Sequence, residues 1–192
     1  CLMGDSWGFD GSQLYPGDMS VWSKMQLGWI IPTLISVEGR YSLNTSQMNE
    51  EAYLIKNGFE EGEYLLLENR QSIGFDRNLY QGGIAIWHID ESSDQKKEGY
   101  PEQSGWPANG NHYKVALVQA DGKYDLERGY EFRGKGDLFH RHGVNELLPS
   151  EHVIEGPFPI TDSYQGGHIK RTGVHISDFS EAGYSMSFNV SF

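Results

Sequence analysis

Two strand-like stretches carry residue types that can do chemistry. In "EYLLLENRQ", residues 63 to 71, Leu65 and Leu67 alternate with Tyr64, Leu66, Glu68 and Arg70. In "IAIWHIDE", residues 84 to 91, the face bearing Ile84, Ile86, His88 and Asp90 alternates with Ala85, Trp87, Ile89 and Glu91. Both runs turn from apolar to charged toward their C-terminal ends. If the strands are neighbours, Glu68, Arg70, His88 and Asp90 form a polar cluster at one rim. A carboxylate beside Arg or His is favourable when partly buried, and burying one without a partner is costly. A hydrogen-bonded ion-pair network is the plain reading, with a metal or catalytic role as the alternative. H-x-D on a strand puts both side chains on one face, but two ligands do not make a zinc site.

A second concentration lies in "QADGKYDLERGYEFRGKGDLF", residues 119 to 139, where Asp121, Asp125 and Asp137 stand among Gly122, Gly129, Gly134 and Gly136. Calcium takes six to eight oxygens from carboxylates, carbonyls and water, and glycines let a loop turn its carbonyls inward. The spacing is not that of an EF-hand. Asp121, Asp125 and Asp137 are therefore expected to share a calcium ion, against ordinary turn chemistry as the alternative. The other histidines, His112, His140, His142, His152, His168 and His175, fall in no H-E-x-x-H or Cys/His array. No G-x-S-x-G elbow, phosphate-binding loop or dinucleotide fingerprint is present.

The elements that must position these residues follow from periodicity. "PGDMSVWSKMQLGW", residues 16 to 29, predicts a helix: Val21, Trp22, Met25, Gly28 and Trp29 form an apolar stripe at three-to-four spacing, with Asp18 or Ser20 at its start and Gly28 and Pro32 at its end. After Pro32 the period becomes two. "TLISVEGRYSLN" reads as a hairpin hinged at Glu38-Gly39, and "AYLIKNGFEEGEYLLLENRQ" as another with turns at Asn57-Gly58 and Glu61-Gly62. "GGIAIWHIDES" and "HYKVALVQADG" are further strands, separated by the polar loop 92 to 111. "GVHISDFSEAG" and "YSMSFNVSF" close the chain as a hairpin. The expected fold is α+β and mainly β: one helix near the N-terminus, then an antiparallel β-rich body with long loops.

Composition agrees with short strands and many tight turns: 192 residues contain 24 Gly, 11 Tyr, 9 Phe and 5 Trp. The formal charge of -12 argues against a nucleic-acid partner, because no basic stripe exists to displace phosphate counterions. No apolar run approaches the roughly 18 residues of a membrane span. One cysteine, Cys1, cannot form an internal disulfide. Two acceptor sequons, Asn44-Thr45-Ser46 and Asn189-Val190-Ser191, lean faintly toward secretion.

The order of segments is itself informative. "LMG" followed by a Gly/Ser loop, then "SVWSKMQLGWIIP", "EYLLLENRQSIGFD", "GGIAIWHIDE", "VALVQADGKYDLERG" and "GDLF", resembles the immune-inhibitor-A-like metallopeptidases, secreted zinc endopeptidases, along almost the whole chain. In that family an H-E-x-x-H helix supplies two zinc-binding histidines and the general-base Glu, and a W-x-L-M-(G/A) element downstream places a methionine beneath the metal. The resemblance implies that "CLMG" is this element and Met3 the Met-turn residue. It also implies that the helix from Ser20 to Leu27 packs beneath the cleft, and that the zinc ligands lie upstream of Cys1. Residues 1–32 would then be the Met-turn and underlying helix of a zincin-like catalytic domain, and residues 33–192 a β-rich subdomain. The implied cofactor is zinc in the parent protein. The implied partners are the upstream segment and a protein or peptide substrate, and the implied location is extracellular. The tyrosine that some related peptidases carry two residues after the methionine is replaced here by Asp5. A chain without the upstream motif cannot activate water on its own. The competing reading is a non-catalytic extracellular binding or structural module that reuses the fold, with loop aromatics such as Trp106 and Tyr130 available for contacts.

Overall fold

The computed structural model describes residues 7–130, 136–150 and 159–192. Among the described residues nine short strands form two sheets, with little helix. Sheet A runs β1 (Thr33–Ile35), β3 (Tyr53–Ile55), β4 (Glu63–Arg70), β5 (Gly83–Asp90), β6 (Val115–Leu117). Sheet B runs β2 (Gly39–Asn44), β9 (Ser185–Ser191), β8 (His175–Ser177), β7 (Glu146–Leu147). Every pairing is antiparallel except β1 with β3.

The helix expected over residues 16 to 29 amounts to six residues, α1 (Val21–Gln26). Ser20 is its N-cap and accepts from the Ser23 amide, satisfying a donor that the first turn leaves open. Gly28, at φ +72°, ends it, as a left-handed residue with no Cβ can. Trp29, placed on the apolar stripe by its spacing, is 57% exposed and is not core. A second helix of four residues, α2 (Asp125–Arg128), lies inside the Asp/Gly-rich stretch.

β4 and β5 are buried at all sixteen positions, eight on each strand, because sheet A is covered on both faces. Toward sheet B, Leu65, Leu67, Ile84 and Ile86 pack with Leu43, Phe139, Phe179 and Phe188. Toward α1, Leu66, Tyr64, Ala85, Trp87 and Ile89 pack with Val21, Ile30 and Leu138. Period-two alternation thus sorts apolar side chains onto two cores rather than onto core and solvent. Each fully buried Leu or Ile contributes about 1.5–3 kcal/mol of transfer free energy, which is what fixes the register of the central pair.

The hairpin predicted at Glu38-Gly39 does not form. β1 enters sheet A while β2 crosses to sheet B and pairs with β9, Tyr41 facing Phe188 in the register. The aromatic side chains of Tyr41, Tyr53 and Phe188 meet in the space between the sheets, with Tyr41 edge-on to Tyr53 at 5.3 Å. That contact rewards the crossing more than a local turn could. The β3–β4 and β8–β9 hairpins form as their turn residues indicate. In the first, Gly58 has φ +75° and lies so close to Thr172 that a Cβ would sit 2.3 Å from its carbonyl oxygen, so the turn requires glycine.

Candidate functional site

The register of β4 on β5 decides where the charged ends go. Glu63 faces Asp90, Leu65 faces His88, Glu68 faces Ala85 and Arg70 faces Gly83. In an antiparallel pair the two C-terminal ends lie at opposite edges, so the four residues expected at one rim separate into two clusters. They also separate by face. Glu68 and Arg70 share the α1 side with Leu66 and Ala85, and His88 shares the sheet B side with Leu65 and Ile86. The single-rim reading is therefore corrected to two ion-pair clusters, one at each end of sheet A.

The first cluster ties α1 to the sheet. Glu68 is fully buried and accepts from the Trp87 indole at 2.8 Å, the Ser46 hydroxyl at 2.8 Å and the Val21 amide at 3.3 Å. Arg70 donates to Asp76 through Nε at 3.1 Å and Nη2 at 2.9 Å, and to the Asp18 carbonyl at 2.8 Å. Burial works against the guanidinium charge, but the carboxylates of Glu68, Asp76 and Asp18 outweigh it and hold the group firmly protonated. Lys24, itself buried, closes the network on Asp18 at 2.6 Å.

The second cluster clamps two loops onto the other end. His88 Nε2 lies 2.8 Å from Glu63, and His112 Nε2 lies 2.6 Å from Asp90. Glu63 also accepts from the Ser163 hydroxyl and the Tyr164 amide, and Asp90 from Ser92 and Gln165. The Tyr164 ring lies over His88 with centroids 4.0 Å apart and is met edge-on by Trp106. Burial pushes the Asp90 carboxyl up, yet hydrogen bonds from His112, Ser92 and Gln165 more than offset this and hold it well below the usual carboxylate range. The oxygens are committed to these donors and Ser163 is buried, out of reach of a substrate, so the arrangement suits anchoring rather than nucleophilic attack.

Between the first cluster and the edge strand β6 runs an open groove of about 630 Å³. Trp87, Leu117 and Leu138 give it an apolar lining, joined by Phe9, Trp22, Glu98 and Glu127. The size is that of a ligand or side-chain site. Burial raises the Glu127 carboxyl, only partly countered by a hydrogen bond from the buried Gln119 amide and by Arg128. Burial likewise raises the Tyr113 hydroxyl, with Glu98 and Glu127 adding to it.

Asp121, Asp125 and Asp137 do not meet as a metal-binding group. Among the described residues no cluster of three or more His, Cys, Asp or Glu side chains is arranged to hold an ion. Asp121 is bonded by the Lys123 ammonium at 2.8 Å, and the charge of that ammonium is favoured by Asp121, Asp125 and Asp137 together. A lysine already stands among the carboxylates expected to draw calcium. Met3 lies outside the described residues. Trp106 is packed on Tyr164 rather than presented to solvent, whereas Tyr130 is 77% exposed. Asn44 and Asn189 of the two sequons lie in paired strands and are hydrogen-bonded to Glu51 and Asp178.

Sequence reasoning missed Glu63, Asp18, Asp76 and the pairing of His112, and it missed Glu127 altogether. Glu63 had one available signal: it begins a strand whose opposite strand ends in Asp90, and two carboxylates facing each other need donors between them. Glu127 had none, since its partner Gln119 is eight residues away across a helix that the pattern did not predict. No protein family, curated protein or solved structure matches this chain.

Proposed function

We propose that the chain is the C-terminal part of the catalytic region of a secreted zinc endopeptidase similar to the immune-inhibitor-A-like family, and that it forms the peptide-holding wall of the cleft. One observation carries the reading. The five segments on which the sequence resemblance rests all contribute to the same groove. "SVWSKMQ" gives Trp22, "EYLLLENRQ" gives Arg70, "GGIAIWHIDE" gives Trp87, "VALVQADG" gives Leu117 and "GDLF" gives Leu138. The loop that follows the "CLMG" element reaches it too, through Gly8 and Phe9. Core packing brings these segments together, and the surface on which they meet is open to a ligand rather than closed over.

In this reading the zinc ligands and the base that activates water belong to the stretch preceding Cys1, and zinc supplies the Lewis acid there. The residues of this chain hold and orient the peptide. The first ion-pair cluster fixes α1 against the sheet and so keeps the groove wall rigid, which positioning of a scissile bond requires. The second reading, a non-catalytic extracellular module, draws on the exposed Trp7, Trp29 and Tyr130 as contact residues.

The test is proteolysis by a polypeptide that carries this chain together with the residues preceding Cys1. An unfolded protein substrate should be cleaved, cleavage should stop with a zinc chelator, and added zinc should restore it. Absence of an H-E-x-x-H helix upstream, or cleavage indifferent to chelation, would leave the binding module as the reading.

A further inference from the structure

The groove has a direction and a charge, and together they specify an occupant. β6 is the last strand of sheet A and pairs only with β5. The bonds from the Val118 amide to the Ile86 carbonyl and from the Asp90 amide to the Lys114 carbonyl place residues 114, 116 and 118 on the inner side of the ladder. The alternation of an antiparallel strand therefore turns the backbone groups of Val115 and Leu117 outward, along an edge that no described strand covers. Val115, Ala116 and Leu117 all line the groove, so this edge opens into it.

Among the described residues, the lining cation Arg70 and two cations next in sequence to lining residues are matched. Arg70 is held by Asp76 at 2.9 Å, Lys114 by Glu91 at 3.2 Å and Arg128 by Glu102 at 3.3 Å. Glu98 and Glu127 both line the groove and form no salt bridge among the described residues. An apolar lining with surplus negative charge is complementary to a long side chain with an apolar stem and a cationic tip.

We propose that this groove binds an extended peptide segment that pairs with the outer edge of β6 and carries a lysine or arginine between large apolar residues. The apolar side chains rest on Trp87, Leu117 and Leu138, and the cation meets Glu98 and Glu127. Main-chain bonds to an exposed edge supply affinity and pockets for alternate side chains supply selectivity, as in other strand-addition sites. The inference deepens the peptide-holding role proposed above but does not depend on catalysis, since a binding module would use the same surface.

The test is fluorescence anisotropy on the chain as it stands, with a labelled pentapeptide bearing arginine between two phenylalanines, its glutamate counterpart, and the arginine peptide N-methylated at the arginine amide. The arginine peptide should bind saturably, and the glutamate peptide about tenfold or more weakly. The N-methyl peptide should also weaken about tenfold, because it cannot donate to the β6 edge. Glu98→Gln combined with Glu127→Gln should remove the preference for arginine while the circular dichroism spectrum is retained. Glu98 is exposed, so Glu98→Gln alone provides a variant with little risk of misfolding. Equal binding of the arginine and glutamate peptides, an N-methyl peptide as tight as its parent, or a folded double variant that still prefers arginine would overturn the proposal. Failure of the proteolysis assay with this binding intact would count against the peptidase reading alone.

Discussion

Removing the cation from the first cluster should be among the most damaging single changes the fold can suffer. In Arg70→Met the apolar stem is kept and the guanidinium lost. Asp76 and Glu68, both fully buried, then face each other's field without the cation that lies 2.9 Å from one and 3.9 Å from the other. The Asp18 carbonyl also loses its donor. Breaking a buried pair by deleting one partner costs about 3–5 kcal/mol, because the charge left behind has no water to return to. For a domain of this length each 1 kcal/mol lowers the melting midpoint by about 2–4 °C, so a fall of roughly 10 °C is expected. Asp76→Asn should also destabilise: one amide oxygen still accepts from Arg70, but the NH2 meets donors from which the second carboxylate oxygen had accepted. The double variant should be less unstable than the two single losses combined, with a coupling of about 1–3 kcal/mol. Denaturant unfolding of the four proteins of the cycle measures this directly. As a comparison, Lys114→Met breaks the partly exposed pair with Glu91, worth about 0–1 kcal/mol. Additive losses at Arg70 and Asp76, or an Arg70→Met variant no worse than Lys114→Met, would refute the reasoning.

Three further outcomes are expected. Asp90 has a depressed carboxyl, so its contribution is present above the unfolded value near pH 4 and is lost as pH falls below it toward the lower folded value. Asp90→Asn should accordingly flatten the acid limb of the stability curve between about pH 4 and 2, and parallel limbs for variant and wild type would contradict this. Gly58→Ala should cost about 1–3 kcal/mol, since it strains a left-handed turn and forces a methyl against the Thr172 backbone. A melting midpoint within a degree of wild type would show that the turn relaxes freely. Finally, because Lys123 already stands among Asp121, Asp125 and Asp137, the midpoint should be the same in a calcium chelator and in millimolar calcium. A rise with calcium would restore these aspartates as ligands.

Element type was legible wherever hydrophobic spacing ran long, as in "EYLLLENRQ" and "GGIAIWHIDE", because both faces of those strands are buried and apolar residues fill most of their positions. Pairing was legible where a short connection rich in turn residues joined the partners, as in β3–β4, and was lost where a tertiary contact overruled the turn, as where Tyr41 meets Phe188 across β2 and β9. The site was half legible for a related reason. Which residues are charged is printed in the sequence, but which end of a sheet they occupy depends on strand direction. Glu68 and Arg70 follow their apolar run just as His88 and Asp90 follow theirs. Only the antiparallel register, set by the packing of Leu65, Leu67, Ile84 and Ile86, sends the two pairs to opposite ends. The consequence bears on function. One pair, at the α1 end, stiffens the wall of the groove, and the other fastens the loops around Tyr164 far along the same strands. Because Arg70 is matched by Asp76, the groove carboxylates without a salt bridge among the described residues are Glu98, on the loop before β6, and Glu127, in α2.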